Sequence, residues 1–135
     1  MATIGSTRTG EELGRAFPGV PVVVSGASEA HGVIDEVDRT PRLVVATPGA
    51  EPVAEGGYRA VLLLDGGALS SRPDLGAAGE ALRQWSNAVA LAAPSARTVL
   101  LGGPDPVAAQ ALVRWDQVGF ARRELLERAE LHLPP

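Results

Sequence analysis

The chain has 135 residues, which suits one domain but not two ordinary ones. Apolar residues make up 45% of it and aromatics only 4%, so Val, Leu and Ala must build the core, which favours α/β layering over an aromatic-rich β-sandwich. A formal charge of -4 supplies no general positive field for nucleic acid or an anionic membrane, and the lack of cysteine excludes disulfides, thiolate zinc sites and thiol catalysis. All twelve basic residues are arginine. There is no signal peptide and no apolar run of about 20 residues, so a cytoplasmic protein without a membrane segment is expected.

Taken in order, "TGEELGRAF" predicts a first helix, with Thr9 and Glu12 at capping-box spacing and Pro18-Gly19 as its stop. "VPVVVS" (20–25) and "RLVVAT" (42–47) are short, continuously apolar and rich in β-branched residues, as strands buried on both faces of a parallel sheet are. Between them "HGVIDEVD" is read as one further helix, and "PGAEPVAEGG" (48–57) as the one loop of substantial length. "YRAVLLLDGG" is a third strand, running from Tyr58 into Asp65, Gly66 and Gly67. From Asp74 to about Ala92 a long helix is predicted, its Leu75, Ala78, Leu82, Trp85 and Val89 forming one apolar stripe.

"RTVLLG" (97–102) is the fourth strand. In "DPVAAQALVRW" Asp105 is the N-cap and Pro106 the first helical residue, with Val107, Ala111, Leu112 and Trp115 on one face. The last helix spans about Gln117 to Leu131, carries the Glu124/Arg128 pair, and ends at Pro134-Pro135. Strands alternating with helices imply right-handed crossovers and an α/β, doubly wound, mostly parallel sheet, with functional loops at the carboxyl ends of the strands.

Those loops contain little recognisable chemistry. A P-loop needs a lysine for the β and γ phosphates, and there is none; no G-x-G-x-x-G occurs either. Asp65 ends a strand as a magnesium-binding carboxylate does, but an Asp there also caps a turn or the following helix, and the structural reading is preferred. Ser70, Ser71 and Arg72 beside Gly66-Gly67 would suit an anion in a backbone nest, or simply a turn before a helix. His31 and His132 match no metal or triad spacing, and Trp85 and Trp115 are read as core or interface residues.

The order of segments resembles one family. "GSTRTGEELGRAFPGVPVVV", "LVVATPGAE", "YRAVLLLDGGALSSRPDLGAAGEALRQWSNAVALA" and "RRELLERAELHLPP" are similar to the second RecA-like lobe of the bacterial replication-restart helicase family, the primosomal proteins N-prime. The resemblance covers nearly the whole chain. It implies a three-layer RecA-like (P-loop NTPase-like) fold, a single domain forming a helicase C-terminal lobe of a longer protein, and monomers acting on forked DNA with primosome or helicase-loading proteins. Where the family places its arginine finger this chain reads "NAVALAAPS", so the finger positions fall on about Ala92 and Ser95, and the basic residue of the family's preceding loop is replaced within "ATPGAEPVAEGG".

The resemblance with these departures implies a non-catalytic lobe without metal or cofactor. Its candidate ligand-binding residues are Asp65, Gly66, Gly67 and Arg83. Two alternatives stay open: an active 3′-to-5′ helicase lobe with a displaced arginine such as Arg83 or Arg97, and a free-standing Rossmann-like domain for a small phosphorylated ligand.

Overall fold

A computed structural model describes residues 3–135, with side chains from Gly5 onward. The chain divides into two compact units, one made of Met1–Arg59 with Leu91–Ser95 and the other of Ala60–Ala90 with Ala96–Pro135. Mixed α/β character and parallel pairing are as the sequence predicts. The pairing itself forms three two-stranded sheets among the described residues, where one doubly wound sheet was expected.

In the first unit, helix α1 (Thr3–Ala16) packs on strands β1 (Val22–Ser25) and β3 (Leu43–Ala46). These strands run parallel, in register from Val22 opposite Leu43 to Ser25 opposite Ala46. Gly10 lets the helix approach closely, since a Cβ there would lie 2.9 Å from Val24 Cγ2. The helix starts well before the expected cap. Thr9 sits in its interior and donates its hydroxyl to Gly5 O at 2.7 Å, bonding back to the preceding turn as helical threonines do. It does stop where expected: Phe17 N still reaches Leu13 O, and Gly19 then turns the chain at φ +86°.

"HGVIDEVD" is not helical. Glu36–Val37 form a short strand, β2, parallel to β4 (Val53–Ala54). Gly32 takes φ +66°, and the β-branched Val33, Ile34 and Val37 after it suit an extended backbone better than a helix. Ile34 N donates to the fully buried Ser25 Oγ at 2.9 Å, and that hydroxyl donates in turn to Ala50 O at 2.7 Å. The 48–57 stretch is therefore more ordered than a long loop. It contains β4 and the buried Ala50 and Pro52, and Pro52 O accepts the Tyr58 hydroxyl at 2.7 Å.

The division between units falls within strands β5 (Tyr58–Leu63) and β6 (Ala92–Leu100), which pair with each other. The second unit adds helices α2 (Gly66–Ser70), α3 (Ala77–Val89), α4 (Pro106–Arg114) and α5 (Gln117–Glu130). Its core gathers Leu63, Leu82, Trp85, Leu112 and Phe120 around alanines 81, 88, 108 and 111, which are small enough for helices to pack closely. Val61 and Leu100 back this core from the inward face of the sheet, while Leu62, Leu64, Val99 and Leu101 on alternate positions stay exposed.

The long predicted helix is shorter at both ends. It begins at Ala77, because Asp74 first closes a turn through Gly76 N, and this leaves Leu75 exposed. It ends at Val89, and Ala92 already belongs to β6. Pro94 lies just beyond and disfavours helical backbone before it, so strand β6 starts five residues earlier than predicted. In α4, Asp105 caps as expected by accepting Ala108 N at 2.8 Å, with Pro106 at the first position. Ala111 and Leu112 are buried, but Val107 and Trp115 are each 52% exposed and do not share that face.

Candidate functional site

The carboxyl ends of β5 and β6 meet in the second unit. Leu101 N donates to Leu63 O at 2.9 Å, Gly66 N to Leu101 O at 2.8 Å and Gly67 N to Gly102 O at 2.7 Å, so the two strands continue side by side past their ends. A Cβ on Gly66 would meet Leu101 O at 2.9 Å, and one on Gly67 would meet Gly102 O at 2.6 Å and Gly103 O at 2.7 Å. The glycines thus permit one backbone to lie against another. Their N–H groups, which a phosphate nest would use, are spent on carbonyls.

Asp65 introduces α2 from a left-handed backbone, φ 55° and ψ 37°, and its side chain makes no capping bond. An uncapped αL aspartate is tolerated here because the Gly66 and Gly67 bonds hold the turn from the other side. Ser70 also has a structural role: its hydroxyl donates to Gly66 O at 2.7 Å and accepts Asp105 N at 2.8 Å, linking α2 to the cap of α4. No group of three or more His, Asp or Glu that could hold a metal occurs among the described residues.

Arg83 stands apart from these three. It is exposed on α3 and grips Glu80 with two bonds, Nε to Oε2 at 2.8 Å and Nη2 to Oε1 at 2.5 Å, while Gln84 Nε2 donates to Glu80 Oε1 at 2.9 Å. It lines a cleft of about 500 Å³ between α3 and α5 with Leu82, Asn87, Phe120 and Leu125, and neither Asp65 nor its glycines belong to that lining. A smaller hollow of about 100 Å³ is lined by Arg72, Asp74, Glu80 and Gln84. The sequence reading missed Gln84, whose Oε1 is buried there without a hydrogen-bond partner. A lone glutamine amid helical polar residues carries no signal that would have revealed it.

The bonds from Arg83 first, and then Gln84, lower the Glu80 carboxyl from its ordinary 4.5 to about 2. A depressed carboxylate contributes its stabilisation above the unfolded value and loses it as pH falls toward the folded one, so this contribution should fade between about pH 4.5 and pH 2. A carbon-detected NMR titration should place the Glu80 midpoint near 2, and Arg83→Ala should move it back toward 4.5. An unchanged midpoint in that variant would show that the arginine is not the cause.

Across the described residues, then, the strand-end glycines are engaged in the fold, and Arg83 is engaged with Glu80 of its own helix. The chain is similar to mycobacterial replication restart proteins. It is 49% identical over 136 residues to the probable replication restart protein PriA of Mycobacterium tuberculosis (strain H37Rv) and to that of Mycobacterium bovis, in each case across 98% of this chain and 20% of the relative. The protein of the same name from Mycobacterium leprae is 48% identical over 135 residues, with the same coverage. The chain therefore spans about a fifth of the length of these curated relatives. No protein-family model and no solved structure matches it. No helix among the described residues is long and apolar enough to cross a membrane.

Proposed function

We propose that this chain serves in replication restart as a non-catalytic, helicase-like lobe of a longer protein. In that protein it acts with forked DNA and with the primosome proteins that load the replicative helicase. The observation that carries the reading is the 49% identity, sustained over 98% of the chain, to proteins named for replication restart. A RecA-like, three-layer organisation completes it. Support comes from the parallel pairing of β1 with β3 and from the apolar residues on both faces of the β5–β6 sheet, which suit interior strands of a doubly wound sheet.

The lack of catalysis follows from what phosphoryl transfer requires: a phosphate cradle, a held metal, and positive charge facing the γ-phosphate. There is no lysine for a P-loop. The stretch from Asn87 to Ser95 closes α3 and opens β6 without a single arginine. Asp65, Gly66 and Gly67 then shape a strand end, and Arg83 is a surface ion pair. The test is steady-state ATP turnover by a full-length replication restart protein carrying this segment, with saturating forked DNA. Arg83→Ala and Arg97→Ala should leave turnover where it was. A fall of roughly 10³-fold with either, the scale of a lost arginine finger, would overturn the reading and make this an active helicase lobe.

A further inference from the structure

The sequence holds a single Asp-Gly step, Asp65-Gly66, and the structure places it where β5 ends and α2 begins. An Asp-Gly step is the one most prone to rearrange without an enzyme, because glycine has no side chain to hold its own amide nitrogen away from the aspartate carboxyl. Here that carboxyl is exposed and makes no capping bond. The nitrogen is in the opposite condition. Gly66 is buried, and its N–H is donated to Leu101 O at 2.8 Å. Attack on Asp65 Cγ requires the nitrogen to lose its proton and turn its electrons toward that carbon. A nitrogen committed to a carbonyl does neither.

We propose that Asp65 is a self-modification site, which converts to isoaspartate when the strand end opens and is kept intact by the bond from Gly66 N to Leu101 O. In the open state Gly66 N forms a bond to Asp65 Cγ, the hydroxyl of the carboxyl group leaves with the amide proton as water, and a succinimide ring results. Water then opens the ring. Addition at the side-chain carbonyl restores aspartate, whereas addition at the main-chain carbonyl breaks its bond to Gly66 N and leaves the chain running through Cβ. No other reactant is consumed.

The product does not fit the closed strand end. It carries one more backbone atom before Gly66, yet Leu101 fixes that span from both sides, its N–H on Leu63 O at 2.9 Å and its carbonyl on Gly66 N. Even a lone Cβ on Gly66 would lie 2.9 Å from Leu101 O and 3.0 Å from Pro104 Cβ, so the longer chain has no room. Ser70, whose hydroxyl ties Gly66 O to Asp105 N, loses its place with it. The opened chain is thereby a substrate for the class of enzyme that methylates isoaspartyl carboxylates. No step of this depends on the role in replication restart.

The test follows isoaspartate in the intact chain at neutral pH, by methyl transfer from S-adenosylmethionine with an isoaspartyl methyltransferase and by mass spectrometry that locates the modified residue. A synthetic peptide of residues 60–72 gives the unrestrained rate. The chain should isomerise first at Asp65, and more slowly than the peptide by the same factor by which hydrogen exchange at Gly66 N is slowed, since both need the same local opening. Gly102 has φ +91°, and a Cβ there would lie 3.0 Å from Gly66 N and 3.1 Å from Asp65 Cα, so Gly102→Ala should pry the strand end open and raise the rate about tenfold. Asp65→Glu, which would have to close a larger ring, should form no isomer. Should Gly102→Ala unfold the unit, the parent chain in urea below its melt decides instead: isomerisation and Gly66 exchange must rise together. A rate equal to that of the peptide, a rate that tracks the core amides of Leu82 and Trp85 and not Gly66, or no isoaspartate at Asp65 after the peptide has fully converted would each overturn the proposal.

Discussion

Trp85→Ala is expected to destabilise the second unit by about 3 to 5 kcal/mol, the range for deleting a fully enclosed aromatic. Trp85 is 2% exposed and sits in the middle of the core cluster, between Leu82 one turn before it and Ala88 one turn after it, with residues of α4 and α5 around it. Neighbouring alanines cannot move in to fill the space, because their helices are already packed closely. Truncation therefore leaves a cavity and not a collapsed site. Leu82→Ala, at 3% exposure on the same stripe, should cost about 2 to 5 kcal/mol for the same reason.

Trp85→Phe provides a sharper comparison. The indole N–H is buried without a partner among the described residues, and such a donor costs roughly 1 to 3 kcal/mol. Phenylalanine removes that orphan along with part of the volume, so its net loss should be well below that of alanine. Urea melts followed by circular dichroism would measure all three variants. A Trp85→Ala loss below about 1 kcal/mol would mean that the helix layer is not assembled around this ring.

Gly57→Ala should be the most damaging change in the first unit, at about 2 to 5 kcal/mol. Two costs add. The backbone at Gly57 has φ +79°, a region that costs an L-residue roughly 1 to 2 kcal/mol. An added Cβ would also lie 2.6 Å from Ala93 N and 2.8 Å from Ala93 Cα, and forcing backbone apart adds about 1 to 3 kcal/mol more. The contact lies beside the hydrogen bond from Tyr58 N to Leu91 O that starts the β5–β6 pairing, so relief by movement would loosen that ladder. Gly19→Ala is the control: its φ is +86°, but nothing lies within 4 Å, so only the backbone cost applies. If the two variants melted together in a thermal scan, the close approach at Ala93 would not be real.

Much of the fold was legible because its signals are local. The strands at Val22–Ser25, Leu43–Ala46 and Tyr58–Leu63 each contain a short run of β-branched or aliphatic residues (Val22–Val24, Leu43–Ala46, Ala60–Leu63) too brief to show a helical period. Asp105-Pro106 announced α4 through cap chemistry that needs only three consecutive residues, and the cap bond to Ala108 N is present. Where two local signals competed, the sequence misled. Thr9 has cap spacing, yet α1 runs through it, because a threonine can bond back to its own helix as readily as begin one. The spacing of Val33, Ile34 and Val37 fits a helical stripe while their β-branching favours a strand, and the pairing of Glu36–Val37 with Val53–Ala54, seventeen residues along the chain, decided between them.

The candidate site divides along the same line. Composition alone excluded a P-loop and thiol chemistry, since residues that are absent cannot be supplied by folding. Residue order alone carried the similarity to replication restart proteins. How Asp65, Gly66, Gly67 and Arg83 are bonded could not be read that way. Two glycines after a strand look the same in sequence whether a phosphate or another carbonyl approaches them, and only the tertiary structure shows Leu101 O and Gly102 O in that place. Trp115 is the converse case. Its spacing from Ala111 and Leu112 promised a buried face, but the left-handed turn that ends α4 leaves its indole half in solvent, an outcome set by how two helices join and not by the period of either one.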